Sequence, residues 1–511
     1  MLKNVVFSLT AYLYSVVSAL LLAPFILRQL GDARYGVWAV VGEVLAYYGL
    51  LDFGVRTALN YFVGRALARR EPAELNRYAG AAFTGLALIG GGCLLASLTL
   101  LFLLRGAIDV QYLDRNEVLL SSAIFLAIFC VSLPLEVYPA ILIGQQKLYI
   151  VNGMEIGARL VAMILMFILL GWFPSLLTIC VSHITVRTIY YALGRFFVRR
   201  LVPGAKISLG WGPPGCLREL VSYGGQSAII NLSWLLSTRK DAILVTVFLG
   251  SRWVPVYQFA RLIVENITQA CHSITLALRP TLIYHWAKGE QDRVYDIYYV
   301  GTRYTNFVVG MLAAFFFAYG ADFLRLWIGP RFVTGSLYYR TDVVLLLLLV
   351  ANLPRWLHSM SWQLLFATNR QQALTWLIVC EGVVNAGLAV MLIRRYGVLG
   401  VAVGALIPML LSHLVVVPWM IRRLVGISLR RYVRQSLARP ALAALAVFVA
   451  GWWTRRAWLP AGWGAFLVEG VALGLFALLL GIGFVARPEE RAWAWRRLIN
   501  LLGRRFRVTR S

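Results

Sequence analysis

Residues 236–250 read LSTRKDAILVTVFLG, and the adjacent charges Arg239, Lys240 and Asp241 break a run otherwise apolar enough for a bilayer. Such a cluster means different things in a soluble loop, at a lipid interface and inside a polar cavity, so the flanking sequence decides. Of 511 residues, 60% are hydrophobic and only 14% charged, where ordinary soluble domains are about 25% charged. A transmembrane helix needs roughly 20 apolar residues, and such runs recur at 5–27, 78–104, 118–143, 343–366 and 466–486. Barrel strands would show short alternating segments instead. The expected fold class is an all-α integral membrane protein with about 14 transmembrane helices.

The spans begin near residues 4, 35, 78, 118, 149, 174, 221, 254, 299, 342, 373, 398, 437 and 462. The formal net charge of +27 raises nucleic acid as a partner, but its placement argues against one. About 29 of the 49 Lys and Arg fall in alternate connections and tails, the positive-inside pattern, with both termini cytoplasmic. Arg394-Arg395 and Arg455-Arg456 depart from it. The basic tail, residues 487–511, suits anionic headgroups, each charge contributing about 1 kcal/mol near the surface. The first apolar run is too long for a signal-peptide core and reads as a retained span. Six cysteines are scattered without a CxxC pair and five histidines form no HExxH pattern, so no metal or cofactor is expected.

The Pro- and Gly-rich connection at 199–220 divides two lobes that look related. LGDARYGVW from Leu30 returns as LGSRWVPVY from Leu249. ARREPAEL from Ala68 returns as AKGEQDRV from Ala287. Gln145-Gln146 and Glu155 lie at one constant offset from Gln371-Gln372 and Glu381. The expected organisation is a six-helix lobe at 1–198, a cytoplasmic linker at 199–220, a second six-helix lobe at 221–424, two further helices at 425–486 and the tail. An even span number per lobe makes the repeats parallel, and transporters built this way bind substrate between halves.

LAPFILRQLGDARYGVWAVVGEVLAYYGLLDFGVRTAL at 22–59 and KDAILVTVFLGSRWVPVYQFARL at 240–262 resemble polysaccharide-biosynthesis flippases. These belong to the multidrug/oligosaccharidyl-lipid/polysaccharide exporter superfamily. The resemblance runs in order through most of residues 1–424, with Pro255 departing from a position that more often holds Gly. It implies a V-shaped pair of six-helix bundles working by alternating access. It also implies a substrate, an undecaprenyl-pyrophosphate-linked oligosaccharide carried across the bacterial cytoplasmic membrane, and no covalent chemistry. Membrane lipids, a polysaccharide polymerase and glycosyltransferases are the partners it suggests.

Moving an anionic diphosphate through hydrocarbon requires a cationic path. Arg56, Arg159, Arg187, Arg239, Lys240, Arg261, Arg303 and Arg355 fall within spans, each costing about 2.5–3.5 kcal/mol at a helix centre unless it faces protein or water. The resemblance places helices one, two, seven and eight around the cavity, which makes Arg56, Arg239, Lys240 and Arg261 the candidate substrate-binding residues. Arg binds phosphate bidentately and Lys as a point charge. Against this stands pairing at i, i+4: Asp52 with Arg56, and Arg261 with Glu265. Arg239 and Lys240 outnumber Asp241, leaving one positive charge over. Asp241 reads as a structural partner, and Glu155 and Glu381 as inter-helix hydrogen-bonding or proton-coupling groups. Arg159, Arg187 and Arg303 are expected to snorkel to the interface. Tyr47, Tyr48, Tyr61 and Trp234 either stack on sugars or, the blander reading, pack. Trp452, Trp453, Trp458, Trp463, Trp493 and Trp495 read as an interfacial belt.

Two alternatives stand beside a flippase. A multidrug or cation antiporter of the same superfamily would use acidic residues in its binding lobe. A membrane-embedded glycosyltransferase or polymerase would need carboxylates near the outer surface, and Asp109 and Asp114 form no DxD-like pair.

Overall fold

A computed structural model describes residues 2–52, 54–69, 71–104, 113–205, 207, 210, 215–222, 225, 232, 235, 239–335, 340–460 and 462–492. Lys206, Asp109, Trp234, Trp493, Trp495, most of the seventh span before Arg239 and the tail beyond residue 492 lie outside these. Among the described residues the chain is helical without strands, and it divides into two compact units, Met1–Gln258 and Phe259–Ser511.

The first unit holds α1 (Leu2–Tyr48), α2 (Val55–Arg69), α3 (Pro72–Leu104), α4 (Arg115–Ser132), α5 (Val137–Gly144), α6 (Leu148–Trp172), α7 (Leu176–Leu201) and α8 (Asp241–Leu249). The second runs through α9 (Val254–Leu276), which begins just before the division, α10 (Arg279–Ala287), α11 (Gln291–Trp327), α12 (Thr341–Leu357) and α13 (Ser359–Ala367). It continues with α14 (Gln371–Tyr396), α15 (Val398–Leu411), α16 (Val417–Val425), α17 (Ala438–Ala457) and α18 (Trp463–Leu480).

Eleven stretches are long and apolar enough to cross a membrane among the described residues. They match the expected positions except at three places. The first two both fall within the stretch labelled α1, which is two helices meeting at a break at Gly31 and so counts as one apolar stretch. The seventh is largely outside the described residues. At the eighth, α9 is a 23-residue helix whose Arg261, Glu265 and other polar groups make it less apolar than the rest. The exposed faces suit lipid: Leu95 and Leu103 on α3 and Val468 and Leu479 on α18 are each 68–70% exposed. The chain is a multi-pass membrane protein.

The repeated LG pair has a structural counterpart. Gly31 (φ 75°, ψ 173°) and Gly250 (φ 95°, ψ 158°) adopt nearly the same backbone conformation, one that side-chain-bearing residues rarely reach. Five residues after the first, Gly36 packs so closely that a Cβ there would lie 1.9 Å from the Ser251 carbonyl oxygen.

In the first unit α2 packs on α3 and α5, α1 on α6, and α7 on α4 and α6. Val63, Leu75, Ile141 and Leu142 are fully buried in the core so formed. The 199–220 connection docks along α3: Asn76 Nδ2 donates to Gly204 O at 2.9 Å, and Tyr78 OH donates to Glu219 Oε2 at 2.6 Å. Glu117 accepts from Arg34, Ser175 and the Leu176 N–H, tying α1 and α4 to the start of α7. In the second unit α11 packs on α17, and α15 on α12 and α14.

Candidate functional site

A cavity of about 590 Å³ opens within the first unit, with an apolar side that includes Leu86, Phe129, Leu133 and Met166 and a polar side built on charge. Each polar residue is set by an interruption or a mid-helix face. α1 gives way to a 3-10 turn, Gly49–Asp52, where Asp52 Oδ1 accepts from the Gly54 N–H at 2.8 Å. Its Oδ2 lies 3.2 Å from Arg56 Nε in the first turn of α2. Between α4 and α5, Pro134 starts another 3-10 turn ending at Glu136. Glu136 Oε2 lies 3.6 Å from Arg56 Nη1, its Oε1 lies 3.8 Å from Arg187 Nη1 on α7, and Tyr191 OH donates to Oε1 at 2.7 Å. On α6, Glu155 Oε1 pairs with Arg159 Nη2 at 2.5 Å, and His183 and Tyr190 complete the wall.

Two expectations change here. Arg159 and Arg187 do not sit at helix ends to snorkel; each stands well inside a helix of 25 or 26 residues and lines the cavity. The reason is local charge, because each has a carboxylate within ion-pair reach. The sequence reading also passed over Glu136, although a lone carboxylate inside the apolar run 118–143 was an available signal.

The cluster at 239–241 is a different place in the same unit and does not line this cavity. Arg239 Nη1 lies 3.4 Å from both oxygens of Glu43, a buried carboxylate on α1, and Gln258 Nε2 donates to the same group at 3.2 Å. Lys240 Nζ lies 3.3 Å from Asp241 Oδ1, while Tyr257 OH donates to Asp241 Oδ2. The spare positive charge expected at this cluster is therefore not there. Glu43, distant in sequence, supplies the second negative charge. The two adjacent cations, in a bend just before α8, also diverge, Arg239 to Glu43 on α1 and Lys240 to Asp241 at the start of α8. Tyr47 OH donates to Leu235 O and Tyr48 pairs with Ser97, so both hydroxyls are engaged within the unit, whereas Tyr61 is 49% exposed.

In the second unit Arg261, buried on α9, lies 3.6 Å from Glu265 one turn on. Arg303, expected to snorkel, is instead 1% exposed and pairs with Glu490, which also accepts from Tyr304 OH at 2.9 Å. Burial there is tolerable because the carboxylate follows the last span and folds back onto α11. Arg355 is half-buried in the last turn of α12. Glu381 on α14 is buried and 3.4 Å from His413 Nε2, an inter-helix contact, whereas Glu155 pairs on its own helix. The matched glutamates also differ in register. The turns before α6 and α14 place their left-handed residues at Gln146 and Asn369, putting Glu155 nine residues on and Glu381 twelve.

Among the described residues no group of three or more His, Cys, Asp or Glu side chains is arranged to hold a metal ion. The arrangement can bind and orient polar or charged groups within the membrane.

No protein-family model matches the chain. A curated relative, the uncharacterized membrane protein EpsK of Bacillus subtilis (strain 168), is 21% identical over 515 residues, covering 99% of this chain and 97% of that protein. Among solved structures, the lipid II flippase MurJ in an inward closed conformation matches with a TM-score of 0.67 at 13% identity, covering 93% of this chain and 98% of its own. An inward-facing multidrug resistance MATE family transporter of the MOP superfamily matches with a TM-score of 0.65 at 14% identity, covering 81% and 94%. The chain thus has the fold that MurJ and MATE transporters share.

Proposed function

We propose that this protein is a flippase that carries an undecaprenyl-pyrophosphate-linked oligosaccharide across the bacterial cytoplasmic membrane by alternating access, for cell-surface polysaccharide biosynthesis. Both termini are then cytoplasmic, as the distribution of Lys and Arg implies. The observation that carries the reading is the cavity in the first unit. It sets three guanidinium groups, Arg56, Arg159 and Arg187, inside a membrane-embedded bundle, and each of its carboxylates already lies within 3.8 Å of one of them. A guanidinium has five N–H donors, so it retains donors for phosphate or sugar oxygens while holding a carboxylate. A volume of about 590 Å³ falls within the range of small-ligand sites, ~300–1,000 Å³. The full-length likeness to EpsK and the fold shared with a lipid II flippase point the same way. Arg239 and Lys240 in the first unit and Arg261 in the second are further proposed substrate contacts, each reached by releasing its present carboxylate partner. No covalent step is assigned.

A multidrug or cation antiporter is the second reading, favoured by Asp52, Glu136 and Glu155 on the cavity wall and by the likeness to a MATE transporter. Proteoliposomes separate the two. The flippase reading expects the protein to speed the loss of fluorescence when a quencher reaches a labelled polyprenyl-diphosphate oligosaccharide flipped from the inner leaflet. Absence of that acceleration, together with extrusion of a lipophilic cation, would overturn it.

A further inference from the structure

The ion pairs around the first-unit cavity are not alike. Glu155 and Arg159 form a close pair on one helix at 2.5 Å. Elsewhere in the unit, away from the cavity, Arg34 and Glu117 form a two-donor contact at 2.8 and 3.0 Å. Glu136 instead bridges two guanidinium groups from separate helices, α2 and α7, at 3.6 and 3.8 Å. One carboxylate therefore reaches two arginines on the cavity wall, holding Arg187 loosely and sharing Arg56 with Asp52, which lies 3.2 Å from it. The arginines are partly open, with side chains 51% and 41% exposed, so another anion can reach them. Glu136 has a further partner, since Tyr191 OH donates to its Oε1 at 2.7 Å, and this contact can retain the carboxylate when the arginines turn away.

We infer that Glu136 is a resident counter-anion for the Arg56–Arg187 pair, and that the diphosphate of an incoming lipid-linked substrate displaces it. This rests on the flippase reading and deepens it. A diphosphate offers two phosphoryl groups and accepts charge-assisted hydrogen bonds from guanidinium groups bidentately, so it fits two arginines from two helices better than a single bridging carboxylate. The empty cavity then contains no uncompensated positive charge, which lowers the cost of holding arginines at membrane depth. Glu136 also sets selectivity, because a neutral headgroup cannot compete with it for the arginines. Its return on release helps expel the anion. Arg187 thereby becomes a substrate-contacting residue, and Glu136 a positioning residue that acts through the two arginines.

The test uses the full chain in nanodiscs with farnesyl diphosphate as probe. Glu136→Gln keeps the acceptor for Tyr191 and removes the competing charge. It should tighten farnesyl diphosphate binding about tenfold (about 1.4 kcal/mol) while slowing flipping in proteoliposomes. Adding Arg187→Gln should abolish the gain. Glu136→Asp, which keeps the charge but shortens its reach, should tighten binding by a smaller factor, and it serves if the Gln variant does not fold. Folded variants that bind the probe no more tightly than wild type, with wild-type flipping intact, would overturn this role for Glu136 and leave the flippase reading standing. Wild-type protein that does not flip a polyprenyl-diphosphate oligosaccharide would defeat the flippase reading itself.

Discussion

Glu43 and Arg239, 196 residues apart in sequence, face each other at 3.4 Å, and Gln258 donates to the same carboxylate at 3.2 Å. Glu43 is 2% exposed. A carboxylate that deep is held by its cation, so the pair has a structural duty whatever else Arg239 does.

Arg239→Ala should therefore lose stability as well as function. Removing one partner of a buried pair costs about 3–5 kcal/mol, and Glu43→Gln in the same chain should recover most of it. Thermal midpoints of detergent-solubilised variants measure this. If the double variant is no more stable than Arg239→Ala alone, the pair is not the reason. It follows that Arg239→Ala with Lys240→Ala tests substrate binding cleanly only in a background that also neutralises Glu43.

Arg303 and Glu490 make a second prediction, outside the spans on the Glu490 side. Burial pushes the Glu490 carboxyl up, but the Arg487 backbone N–H, the Tyr304 hydroxyl and the Arg303 guanidinium outweigh it and hold the group below its ordinary value. A lowered folded-state value means that the stabilisation is fully present above the ordinary value of 4.5 and fades as pH falls through the folded-state value. Glu490→Gln should lower the thermal midpoint at pH 7, and the gap to wild type should narrow below that ordinary carboxylate value. A gap that stays constant down to pH 3 would contradict the assignment.

Glu381 and His413 are each 2–5% exposed. Either Glu381→Leu or His413→Leu alone should destabilise by about 3 kcal/mol, because each leaves a buried polar partner. The two together should be closer to wild type, since an apolar pair of similar volume often replaces a buried polar pair without loss. A double variant as unstable as the sum of the singles would show that the pair is not coupled.

Gly36→Ala should destabilise the first unit by about 1–3 kcal/mol, the range for overpacking. The new Cβ would meet the Ser251 backbone, which cannot rotate away as a side chain can. Gly92→Ala on α3, where a Cβ would meet nothing within 4 Å, should be neutral or slightly stabilising because Ala is the better helix former. Equal midpoints for the two variants would contradict the close approach at Gly36.

Taken alone, the chain settles what depends on composition and period. Its long apolar runs require membrane helices, because unpaired backbone groups cannot face lipid. Its LG pairs mark two comparable breaks, realised at Gly31 and Gly250. The i, i+4 pair Arg261–Glu265 was legible because helical spacing alone brings it together, whereas Asp52 meets Arg56 across a turn at the start of α2. What sequence spacing could not reveal is which distant carboxylate answers each buried cation. Glu43 for Arg239, Glu136 for Arg56 and Arg187, and Glu490 for Arg303 are all chosen by how helices pack. An ion pair at membrane depth forms by proximity in space, and over 50 or more residues the order of the chain carries no measure of that.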